Sequence, residues 1–234
     1  MLVTGASGGI GRRLCRAFAR DGFWVGVHYC SRQEAAEETL AELTAAGGQG
    51  ALFHADIRSG EAVRAMVDDL RRTRGRLDVL LCNAGIAASH LVVRCPEDEW
   101  QRIIDTNLSG TYRTMTTAAA RMMTEGGSIL VIGSYAGLHG RSGQGAYAAS
   151  KAGLIGLVQT AAREWGPHNI RVNLVCPGWQ ATGLAGDAYP SADDVRGHVL
   201  GRLSNLDEVS ETICRLAQLH DVSGQVWNVD SRIL

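Results

Sequence analysis

Tyr147 and Lys151 place a phenol and an ammonium four residues apart, where an apolar repeat of Leu154, Leu157, Val158 and Ala161 begins. That spacing puts both side chains on one face of a helix. A phenol with its ordinary pKa near 10 donates protons poorly at neutral pH, and a cation held beside it stabilises the phenolate and lowers that value. The pair therefore predicts a tyrosine that works as a general acid. Lys151 is the only lysine among 23 basic residues, the rest being arginine. A surface cation of no special use would have been arginine as well. Taken alone, a Tyr-x-x-x-Lys match is as compatible with one exposed helix pair, and its context decides. Ser134 stands just past a strand predicted over 128–133, where its hydroxyl can hydrogen-bond a substrate carbonyl. Tyr135 is a second phenol, but no cation follows it four residues later, so Tyr147 is the expected acid.

These groups need a frame. Val3 and Thr4 end a short first strand, and Gly5-Ala6-Ser7-Gly8-Gly9-Ile10-Gly11 leads into a helix with Ile10, Leu14 and Phe18 on one side. In a strand, glycine turn and helix, the free N–H groups and positive dipole end of the helix face the loop and make a site for a pyrophosphate. Gly5, Ser7, Gly9 and Gly11 are the expected cofactor contacts of that loop. Its spacing is G-x-x-x-G-x-G and not the G-x-G-x-x-G of longer dinucleotide-binding chains. Strands follow over 24–30, 51–54 and 77–82, separated by helices carrying Ala36, Leu40 and Leu43, then Val63, Met66, Val67 and Leu70. Such alternation predicts a parallel sheet covered by helices on both faces, with ligands at the carboxyl ends of its strands.

At those ends stand Asp56, whose carboxylate can accept from an adenine amino group, and Asn83-Ala84-Gly85. Asp and Asn after a strand are equally ordinary turn residues. Residues 96–123 read as one long helix with Trp100, Ile103, Ile104, Asn107 and Leu108 on its buried side. A buried amide needs partners, so Asn107 is either a satisfied structural residue or one that serves the site through a water; the residues alone favour the structural role. A sixth strand is predicted over 170–176, followed by Pro177-Gly178, a polar segment, a helix with Val209, Ile213 and Leu216, and a last strand over 225–229.

The 234 residues suit one α/β domain with a full core and leave no room for a second of ordinary size. Net charge is −1 and no basic run stands out, which gives nucleic-acid or membrane-surface binding no support. No stretch approaches the ~18 uninterrupted apolar residues of a membrane span, and the chain opens on a strand and not on a secretion signal, so a cytoplasmic protein is expected. The six cysteines lack any C-x-x-C pair and the seven histidines are dispersed, so no metal site is expected. Glycine, at 29 residues, exceeds the usual ~7% and gathers where strands end, as backbone held close to a ligand does.

With these positions collected, the chain resembles the short-chain dehydrogenase/reductase family over nearly its full length. Thr4-Gly5-x-x-x-Gly9-x-Gly11, Asn83-Ala84-Gly85, Asn107, Ser134, Tyr147-x-x-x-Lys151 and Pro177-Gly178 occur in the family's order and spacing. Residues 99–108 and 151–156 are most similar to the 3-oxoacyl-acyl-carrier-protein reductase branch. The resemblance implies a Rossmann-type doubly wound parallel sheet of seven strands in the order 3-2-1-4-5-6-7, in a single domain over 1–234 with a substrate lid at about 179–203. It implies Tyr147 as acid, Lys151 lowering its pKa and binding ribose hydroxyls, Ser134 polarising the carbonyl and Asn107 holding a relay water. Pro177, Gly178 and Thr182 are implied contacts at the nicotinamide end, with Ile10, Asn83, Ala84 and Gly85 along the cofactor's path.

NADP(H) is expected over NAD(H). An NAD enzyme of this fold ends its second strand with an acidic residue for the ribose 2′-hydroxyl; here the segment from His28 to Arg32 has no carboxylate, and Ser31 and Arg32 can donate to a phosphate. The expected reaction is reduction of a 3-oxoacyl thioester, on acyl carrier protein or coenzyme A, in fatty acid biosynthesis. A small ketone, sugar or secondary alcohol is the alternative, and a non-catalytic dinucleotide-binding regulator the contrasting class. A homotetramer is implied by the family's habit of pairing through the Asn107 and Tyr147 helices. The ending Trp227-Asn228-Val229-Asp230-Ser231 departs from the glycine-rich ending common in the branch.

Overall fold

The computed structural model describes residues 1–180 and 195–233. In chain order the framework is β1 (Leu2–Val3), α1 (Gly9–Arg20), β2 (Trp24–Tyr29), α2 (Gln33–Ala45), β3 (Gln49–His54), α3 (Gly60–Arg74) and β4 (Val79–Cys82). There follow α4 (Glu97–Ile104), α5 (Gly110–Met122), β5 (Gly127–Ile132), α6 (Ala136–His139), α7 (Gly145–Trp165) and β6 (Ile170–Cys176), then a last helix, Leu206–Gln218, and β7 (Val226–Asn228). The seven strands form one parallel sheet in the order β3-β2-β1-β4-β5-β6-β7. This is the doubly wound Rossmann-type order that the resemblance implies. The strand order reverses at β1 and β4, the point where such a sheet leaves a crevice beyond its carboxyl ends.

The side-chain period of two divides each central strand between two cores. Leu2, Leu80, Ile129 and Leu174 join one cluster with Met115, Leu154 and Val158, while Val3, Leu81, Leu130 and Val175 join the other with Leu14, Phe18 and Ile213. Burial on both faces is why these strands read as continuous apolar runs and not as alternating ones.

The segment expected as one long helix runs on as α4 and α5 but is interrupted by a π-helical stretch, Asp105–Ser109, which holds Asn107. Trp100, expected on the buried side, is 40% exposed; Ile103 is the residue of α4 that reaches the core. The short α6 was not foreseen. It lies against α7 at close range, since a Cβ on Gly137 would stand 2.8 Å from the backbone carbon of Lys151.

Candidate active site

The carboxyl ends of β1 and β4 are laced together by side chains of the predicted motifs. The Thr4 hydroxyl accepts from the Asn83 and Ala84 N–H groups at 3.0 and 3.1 Å, and the Asn83 amide donates to the Thr4 and Gly5 carbonyls, each at 3.0 Å. Gly5 has φ +62, and a Cβ there would stand 2.8 Å from the Ala84 Cα; one on Gly11 would stand 2.4 Å from the Gly5 carbonyl oxygen. Only glycine fits either position. His28 completes the bracing. Its Nδ1 accepts from the Gly5 N–H at 3.0 Å and its Nε2 donates to the Ala55 carbonyl at 3.0 Å. Burial lowers its pKa to about 4, so the ring is neutral in this role.

Two lobes open above this bracing, of about 530 and 390 Å³, and Ile10, Asn83 and Gly85 line both. The larger is lined by Gly5, Ser7, Gly9, Ser31, Arg32, Asp56 and Ala84 among others. Helix α1 begins here without a side-chain cap, so its first N–H groups are available to an anion. Arg32 lies over the loop, its guanidinium 3.6 Å from where a Cβ on Gly8 would be. No ion pair holds it among the described residues. Asp56 is engaged by Arg58, which donates from its backbone N–H at 2.9 Å and from its guanidinium at 2.6–3.0 Å, and this holds the carboxyl below its ordinary value. The sequence reading missed Arg58 although it stands only two residues on.

The smaller lobe gathers Ser134, Tyr147, Lys151, Pro177 and Gly178. Its polar centre comes from the end of β5 and the first turns of α7. The Lys151 ammonium donates to the Ile132 carbonyl at 2.7 Å and stands 5.8 Å from the centre of the Tyr147 ring. Burial lowers Lys151 to about 8. Tyr147 moves the other way from the sequence expectation: burial raises its phenol above the ordinary value, and a hydrogen bond with the Ser134 hydroxyl opposes that rise. The phenol therefore keeps its proton at neutral pH. Tyr135, the rival, is stacked on His139 with ring centres 4.3 Å apart.

Asn107 is fully buried and lines neither lobe. Its Oδ1 accepts from the Ile86 N–H at 2.8 Å, and its Nδ2 donates to the Ile86 carbonyl at 2.8 Å and the Ser150 hydroxyl at 3.1 Å. The amide thus has the partners that its burial requires. Asn107 Oδ1 and Lys151 Nζ both approach Gly85, 3.2 and 3.7 Å from where its Cβ would be, so the amide braces the segment beneath the ammonium. Thr182 and most of the expected lid at 179–203 lie outside the described residues. The described part of the lobe adds Arg141, Gln144 and Arg232, of which Arg232 carried no local sequence signal.

The paired lobes, joined at Ile10, Asn83 and Gly85 beside an uncapped helix start, fit a long molecule with an anionic middle, as a nicotinamide dinucleotide is. The short-chain dehydrogenase family model matches residues 1–192. A 3-oxoacyl-acyl-carrier-protein reductase FabG from Staphylococcus aureus is 35% identical over 98% of this chain and 95% of its own. A 3-oxoacyl-acyl-carrier-protein reductase from Synechocystis is 36% identical over 98% and 94%. Among solved structures, a short-chain type dehydrogenase/reductase from Mycobacterium marinum superposes with a TM-score of 0.90 at 32% identity, covering 98% of this chain and 93% of that one. A dehydrogenase/reductase from Sinorhizobium meliloti gives 0.93 at 29%, covering 99% and 93%. On the fold, the motifs and these likenesses together, the chain belongs to the short-chain dehydrogenase/reductase family and is an oxidoreductase that uses a nicotinamide dinucleotide.

Proposed function

We propose that the protein uses NADPH to reduce a 3-oxoacyl thioester, carried on acyl carrier protein or coenzyme A, to the 3-hydroxyacyl form. The observation that carries the reductase reading is the gathering of two hydroxyl-bearing side chains, Ser134 and Tyr147, in one lobe with the buried Lys151 ammonium. The bound cofactor supplies hydride; the protein supplies position and a proton. A substrate carbonyl oxygen set between the two hydroxyls accepts from both. Tyr147 gives up its proton as charge develops on that oxygen, and Lys151 offers a cation near the resulting phenolate. The thioester rests on the names of the relatives and on residues 99–108 and 151–156. NADPH oxidation with matched acetoacetyl thioesters on carrier protein and on coenzyme A, beside simple ketones, tests it. Efficient turnover of one or both thioesters is expected. Turnover of the ketones alone would overturn the substrate class, and cofactor binding with no turnover of any carbonyl would overturn the reaction.

The preference for NADP(H) is supported by β2 ending without a carboxylate and by Arg32, which no ion pair holds among the described residues, over the glycine loop, with Arg58 in the same lobe. Charge-assisted hydrogen bonds are worth about 1.5–3 kcal/mol, so Arg32→Ala is expected to raise KM for NADPH by roughly 10- to 100-fold and to leave NADH kinetics little changed. A wild-type preference for NADH would contradict the assignment. A homotetramer is supported by Trp100 on α4 and Tyr112 on α5, both large and exposed on the helices through which the family commonly pairs.

A further inference from the structure

The C-terminal segment after β7, which departs from the glycine-rich ending of similar reductases, brings a guanidinium into the substrate lobe. Arg232 lines that lobe together with Ser134, Tyr135 and Tyr147. Its guanidinium lies 3.9 Å above the centre of the Tyr135 ring, next in sequence to Ser134. Behind it sits the Asp230 carboxylate, whose side chain is 0% exposed against 15% for Arg232. Arg232 donates to Asp230 Oδ2 from Nε at 2.8 Å and from Nη2, and its backbone N–H donates to Oδ1 at 2.8 Å. Asn228 Nδ2 donates to Asp230 Oδ1 at 2.9 Å and to the Arg232 carbonyl at 2.6 Å, closing the turn on itself. Asp230 packs against Gly178, where a Cβ would stand 2.7 Å from Oδ2.

A buried ion pair rarely stabilises a fold more than apolar residues of the same size would. This one fixes the plane of a single arginine between an aromatic face and a sequestered carboxylate. The described lining of the lobe contains three cationic side chains, Arg141, Lys151 and Arg232, and no aspartate or glutamate. A planar guanidinium held in place is the group best suited to a carboxylate.

We propose that Arg232, oriented by Asp230 and Tyr135, is a specificity-determining residue that recognises a carboxylate on the carbonyl substrate itself. The inference rests on the carbonyl-reductase reading and narrows its substrate class to oxoacyl groups or ketones that carry a second, acidic end. A neutral acyl chain gives no charged partner to the guanidinium N–H groups that Asp230 leaves unused.

The test compares charged and neutral probes of one shape with NADPH. One pair is the coenzyme A thioester of 3-oxohexanedioate and that of its monomethyl ester; the other is 5-oxohexanoate and its methyl ester. In at least one pair the wild-type protein is expected to favour the acid in kcat/KM by about 10-fold or more, the scale of a charge-assisted hydrogen bond. Arg232→Met is expected to bring that ratio near one, and Arg232→Lys to retain part of it. Because Arg232→Met leaves the Asp230 carboxylate buried and unpaired, the double variant Asp230→Asn/Arg232→Met serves as a second measurement, and it should lose the ratio equally. A wild-type ratio of one or below in both pairs, or a ratio that survives in both variants, overturns this inference while the reductase reading stands. Absence of turnover for all four probes with NADPH bound overturns this inference, and the reductase reading falls with it only if acetoacetyl thioesters and simple ketones are not reduced either.

Discussion

Tyr147→Phe is expected to lose carbonyl reduction by ~100- to 10,000-fold in kcat, the range over which a positioned general acid contributes, while cofactor affinity stays near the wild-type value. Phenylalanine keeps the ring that fills the wall of the lobe and removes only the oxygen that faces Ser134. Burial raises the Tyr147 phenol, so the side chain is a full store of proton at neutral pH and not a partly ionised one. The Ser134 hydroxyl can still polarise a carbonyl in the variant, but the phenol assigned to deliver the proton is gone. Steady-state kinetics with the preferred carbonyl, run beside a fluorescence titration of the cofactor, separate the two effects. Wild-type kcat in the variant would remove Tyr147 as the acid.

Lys151→Met is expected to make the protein both inactive and more stable. The ammonium is buried and its pKa is lowered to about 8 from 10.5. At 1.36 kcal/mol for each pKa unit, holding that charge in the folded chain at neutral pH costs about 3 kcal/mol. Methionine has similar length and no charge; it forfeits the hydrogen bond to the Ile132 carbonyl, worth about 1 kcal/mol. A net gain of roughly 2 kcal/mol is expected near pH 7. The sign with pH is fixed. Between pH 8 and 10.5 the unfolded chain binds the proton that the folded chain has released, so wild-type stability rises through that window and the advantage of the methionine variant shrinks. Denaturant melts of both proteins across that range check this. Turnover should fall by more than ~100-fold, since the cation that would stabilise the phenolate is gone. A variant less stable than wild type at pH 7 would show that the buried ammonium supports the fold more than it strains it.

How far the sequence could be read follows from what each signal depends on. The glycine loop, the Asn83-Ala84-Gly85 turn and the Tyr147-Lys151 pair are local patterns tied to backbone geometry, and the fold places them together at the carboxyl ends of the sheet. The strands declared themselves because burial on both faces makes them unbroken apolar runs. The π-helical stretch at Asp105–Ser109 did not, because one extra residue in a turn hardly alters the apolar period. Helix α6 spans four residues, too few to show a period. The direction of the Tyr147 shift was misjudged for a different reason. Spacing reports that a cation is near, whereas burial, which wins here, comes from elements remote in the chain. Arg232 is the extreme case: it reaches Tyr135 across 97 positions, and nothing local marks it.

The proposed chemistry is hydride delivery to a carbonyl in the lobe that Ser134, Tyr147 and Lys151 share. The most direct measurement follows the label from NADPH carrying deuterium at the transferable position, incubated with the protein and acetoacetyl thioesters, keto acids and simple ketones. Mass spectrometry of the products should find one deuterium on the new carbinol carbon, formed by wild-type protein at least ~100-fold faster than by Tyr147→Phe. NADPH that binds while no carbonyl in the set acquires the label would contradict hydride transfer in this lobe.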